Sequence, residues 1–155
     1  MLKLTKKADY GLMAMKHLAE RRTACSAKDL AEAYGIPQEA LAKILQRLVK
    51  ARLLVSQHGI NGGYFLARDA RRITALEVIK AIDGPLFITS CVTKSGECGQ
   101  SSKCTVREPL RKVNESIQEA LSRITIWEMN EGGSSEPENG EKISASDLVT
   151  LEVVG

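Results

Sequence analysis

Ala8, Leu12, Met15 and Ala19 recur at steps of three and four, which predicts one apolar face of a helix running from a Thr5 cap to about residue 20. Ser26 and Asp29 have the spacing of a capping pair, opening a short helix over residues 28–34 that Gly35 closes. Ile36 follows, and Pro37 is tolerated in a first helical turn, so a third helix starts at once and runs to about residue 52. Its stripe of Leu41, Ile44, Leu45 and Leu48 is expected to be buried. Two helices joined through a tight glycine-bearing turn make the helix-turn-helix pattern.

Beyond it the period shortens. Residues 53–55 and 64–66 are two β-prone runs around the glycine-rich stretch at residues 56–63, a hairpin in the place of a wing. Thr74 and Glu77 form a further capping pair, and the helix they open ends where Asp83, Gly84 and Pro85 break it. Residues 90–103 have little apolar periodicity. Thr105 and Glu108 again have capping-box spacing, with Pro109 in the first turn, and predict a helix to about residue 129. Along it Val106, Leu110, Val113, Ile117, Leu121 and Ile124 are spaced by steps of four and three, close to a heptad seam that needs a partner. From Asn130 the chain turns to Gly, Ser, Glu, Asn and Pro and is expected to be a flexible tail. The fold class is therefore mostly α, a winged helix-turn-helix with a small β-hairpin wing plus a long C-terminal dimerisation helix. The expected divisions are 1–84 for the DNA-binding domain, 85–105 for a cysteine loop, 106–129 for the dimerisation helix and 130–155 for the tail.

Composition sharpens this picture in three ways. Only 4% of the 155 residues are aromatic, which suits a helix-rich core better than a sandwich. The net charge of +3 conceals a division: residues 1–80 carry 15 basic and 7 acidic side chains, residues 81–155 carry 7 and 12. A basic first half matches a polyanionic partner such as double-stranded promoter DNA. No apolar run approaches a membrane span and no signal-peptide pattern opens the chain, so a cytoplasmic protein is expected, where four cysteines are ligands, sensors or core residues sooner than disulfides. Two histidines, no carboxylate pair in a catalytic spacing and no phosphate-cradling loop argue against an enzyme.

Two constellations carry chemistry. A helix in the major groove reads base edges through its exposed side chains, which here include Gln38, Glu39, Lys43 and Arg47. The wing would bring His58, Asn61 and Gly62 to the backbone or minor groove. The other constellation is Cys91, Cys98 and Cys104, three thiols in fourteen residues. Thiolates are soft ligands that suit an iron-sulfur cluster or zinc, and the spacing alone decides neither between these nor against reactive thiols. Cys25, between the first two helices, reads as a small buried hydrophobe.

The stretches LTKKADYGLMAM, GINGGYFLARD and DGPL, the cysteine loop and the long helix after it resemble the IscR-like, Rrf-type winged-helix regulators over residues 1 to about 129. Within these, NGGYFLAR, DGPLFITSC, the six-then-five cysteine spacing and the C-T-V-R run are most similar to regulators of the SUF cluster-assembly operon. The resemblance implies a homodimer joined through the long helices, and an iron-sulfur cluster on Cys91, Cys98 and Cys104 whose state alters DNA binding. The 2Fe-2S form is favoured over 4Fe-4S. Relatives of the IscR type carry a histidine ligand three residues after the last cysteine, where this chain has Arg107, and a guanidinium does not ligate iron. Asp9 matches the position from which nitric-oxide-sensing relatives supply a carboxylate across the dimer, ahead of Glu97, Glu108 and His17. The resemblance thus implies control of cluster-assembly or iron and redox stress genes. The alternatives are a DNA-binding regulator using zinc or thiol oxidation, or one sensing nitric oxide; a protein-interaction module is a third.

Overall fold

A computed structural model describes residues 3–89, 99 and 102–131. Six α-helices, a two-stranded sheet and one 3-10 turn are present among them: α1 Lys6–Ala19, α2 Ala27–Tyr34, α3 Gln38–Lys50, β1 Leu54–Gln57, β2 Gly63–Leu66, the turn Ala70–Arg72, α4 Ala75–Asp83, α5 Arg107–Arg123 and α6 Ile126–Glu131. The local signals placed most of these ends. Thr5 Oγ1 accepts the Ala8 N–H, Ser26 Oγ accepts that of Asp29, and Thr74 with Glu77 forms a reciprocal capping box. Gly35 ends α2 in the left-handed region, and α3 follows directly from Pro37.

The core lies where α1, α3 and α4 meet. Ala8, Leu12, Met15 and Leu18 of α1 pack with Leu41, Ile44, Leu45 and Leu48 of α3 and with Val78, Ile79 and Ile82 of α4, all buried. β1 and β2 pair antiparallel with Leu54 opposite Leu66 and Gln57 opposite Gly63. The hairpin is tied to the α1–α2 connection, since Cys25 N–H donates to Tyr64 O at 3.0 Å and Tyr64 N–H to Cys25 O at 2.8 Å. This tie requires a glycine at position 63: its φ is +151°, and a Cβ there would lie 2.5 Å from the Cys25 carbonyl oxygen.

The C-terminal part departs from the expected single helix. The Thr105–Glu108 box does not form; α5 begins at Arg107 with no side-chain cap, because the Glu108 carboxylate is bonded to Arg111. The helix also stops at Arg123. Ile124 is extended, and Thr125 caps α6 with Glu128 returning a bond to the Thr125 N–H. This break docks α6 on the body: Ala75 N–H donates to Ile124 O, Ile126 N–H donates to Ile73 O, and the Ile126 side chain is fully buried. Arg71 lies over the Trp127 ring at 4.3 Å. No helix among the described residues is long and apolar enough to cross a membrane. The expected tail beyond Glu131 lies outside the described residues.

Candidate nucleic-acid interface and cysteine loop

The polar face of α3 and the wing enclose a groove of about 610 Å³ lined by Lys43, Gln46, Arg47, Lys50, Ser56 and His58, among others. The groove exists because α3 buries its leucine stripe and thereby turns Lys43, Gln46, Arg47 and Lys50 outward, while the hairpin register aims Ser56 at the same side. Three fixed cations converge here with no acidic lining residue. Lys43, Arg47 and His58 are the members that the sequence pattern points to; Lys50 joins them from seven residues, two helical turns, after Lys43.

The remaining expected contacts lie around this groove. Gln38 opens α3 and is exposed. Glu39 lines a smaller apolar-floored cleft of about 380 Å³ between α1 and α3, with Lys7, Tyr10 and Lys43. Asn61 and Gly62 are at the wing tip, bordering a hollow on its other side with Arg22, Asp29 and Phe65. The tip is a tight turn in which Gly62 N–H donates to Gly59 O at 3.0 Å, and it presents Ile60 fully to solvent. Arg47 has a second engagement that no sequence pattern signalled: its Nη1 donates to the Ile82 carbonyl at the end of α4, 2.5 Å away.

Of the three loop cysteines, Cys104 is described, as a half-buried free thiol shortly before α5; Cys91, Cys98 and Glu97 lie outside the described residues. The described residues on either side of the loop both lead to α5. Ile88 N–H donates to Asn114 Oδ1 of α5 at 3.1 Å, and Cys104 precedes the start of α5, some 10 Å of helix rise from Asn114. Cys104 thus stands just before α5, and a thiolate is a soft donor of the kind that fits an iron-sulfur cluster. Among the described residues no three His, Cys, Asp or Glu side chains converge on a metal-sized site.

The alternatives for a fourth ligand separate on their surroundings. Arg107 is the exposed first residue of α5. Glu108 is committed to Arg111, whose hydrogen bond holds the carboxyl below its ordinary pKa. His17 is 3.0 Å from the Tyr34 hydroxyl through Nδ1, and burial, with Arg21, lowers its pKa. Asp9 is exposed in the first turn of α1, and its carboxylate has no partner among the described residues. Cys25 is buried, and burial pushes its thiol pKa up, the state of an inert core residue.

Comparison with known proteins gives a consistent picture. The profile of the Rrf2 family, described as an iron-dependent transcriptional regulator, matches residues 4–132. The HTH-type transcriptional regulator IscR of Xenorhabdus nematophila is 34% identical over 130 residues, covering 83% of this chain and 79% of that protein. The Escherichia coli O1:K1 / APEC protein of the same name is 33% identical, with 83% and 80% covered. Among solved structures, CymR, the global cysteine regulator of B. subtilis, superposes with a TM-score of 0.73 at 26% identity over 85% of this chain and 98% of that one. T. potens IscR gives 0.65 at 35% identity, over 85% and 88%.

Proposed function

Because the chain belongs to the Rrf2 family of transcriptional regulators, we propose that it acts as a homodimer whose cysteine loop holds an iron-sulfur cluster and whose cluster state sets its affinity for promoter DNA. The family consists of regulators and not enzymes, in keeping with the absence of a catalytic constellation in the sequence. The observation that carries the DNA half is the groove between α3 and the wing, where Lys43, Arg47 and Lys50 stand together. In this reading α3 enters the major groove, with Gln38, Glu39 and Lys43 toward base edges and the phosphates beside them. Lys50 and Arg47 neutralise phosphate, and His58, Asn61 and Gly62 carry the wing to the adjacent backbone or minor groove.

Cys91, Cys98 and Cys104 would hold the cluster, with Asp9 supplied across the dimer as the fourth ligand. When bound, the group supplies iron-thiolate bonds that iron depletion or oxidants break, which is what makes the site a sensor. The chain's own part would be to hold Cys104 just before α5 and the Asp9 carboxylate on the exposed side of the first turn of α1. We favour 2Fe-2S, and genes of SUF-type cluster assembly as targets, on the resemblance in the wing and around the cysteines.

Anaerobic purification followed by visible absorption and by iron and sulfide counting tests the cluster. Cys98→Ala is expected to lose it, and a variant that retained a normal cluster would remove the assignment. One zinc per chain without sulfide would instead favour the zinc alternative. Binding to the promoter upstream of its own operon, weakening steeply with salt, tests the DNA half.

A further inference from the structure

Residues 82–88 join α4 to the segment that enters the cysteine loop, and side chains from three elements grip them. Arg47 of α3 donates to Ile82 O at 2.5 Å. The Thr5 hydroxyl at the head of α1 donates to the Asp83 carboxylate, 2.7 and 2.8 Å from its two oxygens. Gln118 Nε2 of α5 donates to Leu86 O at 3.1 Å, and Asn114 Oδ1 accepts the Ile88 N–H at 3.1 Å. Pro85 fixes its own φ, and four of the seven residues, Ile82, Asp83, Leu86 and Ile88, are held by side chains of other elements, which leaves little free chain between the anchors.

Asn114 singles out this contact. It is 3% exposed, the buried polar side chain among the described residues, on a helix whose Leu110, Ile117 and Leu121 are half-buried and whose Leu121 packs against the core. Burying an amide costs free energy unless it is hydrogen-bonded, and a leucine would fill the same place. What the amide adds is register: its oxygen meets one backbone N–H of the strap, and Gln118, one turn further, meets one carbonyl two residues back.

We infer that Asn114 and Gln118 are positioning residues that fix the register of the strap on α5, and that the strap, through Arg47, sets the attitude of the recognition helix α3 relative to α5. This rests on the functional reading above and deepens it. Ile88 is three residues before Cys91, and Cys104 lies at the head of α5. Linking or releasing these cysteines acts on the strap's register, and Arg47 carries the difference to α3.

The test uses the full chain with Gln118→Met, at a half-buried position, and Asn114→Leu. Amide hydrogen exchange is read first, on cluster-free protein. Faster exchange is expected at residues 86–88 and also in the last turn of α3; a change confined to the strap, with α3 as in the wild type, overturns the link. Operator affinity is then measured for cluster-loaded and cluster-free forms. A wild-type ratio on the order of 5–150, typical of coupled sites, is expected to collapse toward one in both variants. An unchanged ratio in both overturns the inference. If the wild type binds the operator equally in both forms, the functional reading fails, while the exchange measurement still decides the strap. Should Asn114→Leu not fold, Gln118→Met carries both measurements.

Discussion

Arg52 has a φ of +61°, the left-handed conformation, in the turn that leads α3 into β1. Its N–H bonds Val49 O at 2.9 Å and that of Leu53 bonds Leu48 O at 3.0 Å, so it occupies the position of a Schellman turn that glycine ordinarily fills. An L-residue in this conformation costs about 1–2 kcal/mol. Arg52→Gly should therefore raise unfolding stability by about 1 kcal/mol after the entropy of glycine is set against it, read as a higher urea midpoint at constant slope. His17 makes the opposite kind of statement. Burial and Arg21 lower its pKa, so the native ring resists a proton that the unfolded chain takes up near pH 6.5. Stability attributable to His17 is complete above that pH and falls as the pH drops through it, until the folded pKa is passed. His17→Gln should flatten this part of the profile; an unaltered slope in denaturation curves between neutral and mildly acidic pH would contradict the assignment.

At the scale of elements, α3 and the wing act together, and their shared groove yields a quantitative expectation. If Lys43 and Lys50 each neutralise one phosphate, Lys50→Ala should weaken binding to all sequences alike and reduce the slope of log affinity against log salt by about one. A loss confined to the operator would mean that Lys50 reads bases. Elements were legible in the sequence where their signals are local: Thr5, Ser26, Gly35 and Thr74 end helices with bonds that span four residues or fewer. The seam after Cys104 misled because its spacing continues through Ile124. Thr125 and Glu128 carry the same capping signature as Thr74 and Glu77, but only the docking of Ile126 into the core makes the break worthwhile. Conversely, Thr105 and Glu108 have the signature without the cap, because Arg111 takes the carboxylate. The candidate site divides similarly. Helical spacing sufficed to put Lys43 and Arg47 on one face, and it contained Lys50 as well. The bond from Arg47 to Ile82 joins residues thirty-five apart and has no trace in any local pattern.

For the whole molecule, the decisive surface is the outer side of α5 and α6. Val106 is 54% exposed, Val113 48%, Ile124 42% and Trp127 38%, while Leu110, Ile117 and Leu121 are half-buried. The seam thus divides: Leu121 packs on the chain's own core, and Val106 and Val113, seven residues apart, form an exposed apolar stripe on which the proposed homodimer would pack. Two recognition helices on a two-fold axis would meet half-sites about one DNA turn apart, each raising the effective concentration of the other. Val113→Asp places a charge in the middle of the stripe, outside both the α3 groove and the strap. It should convert the dimer to a monomer in sedimentation while leaving helix content unchanged. Operator affinity should then fall by about a hundredfold or more as the second contact is lost. The salt slope should also fall by roughly half, since one subunit displaces half the counterions. A variant that stays dimeric would move the interface elsewhere, and a monomer with undiminished operator affinity would mean that a single α3 and its wing suffice for recognition.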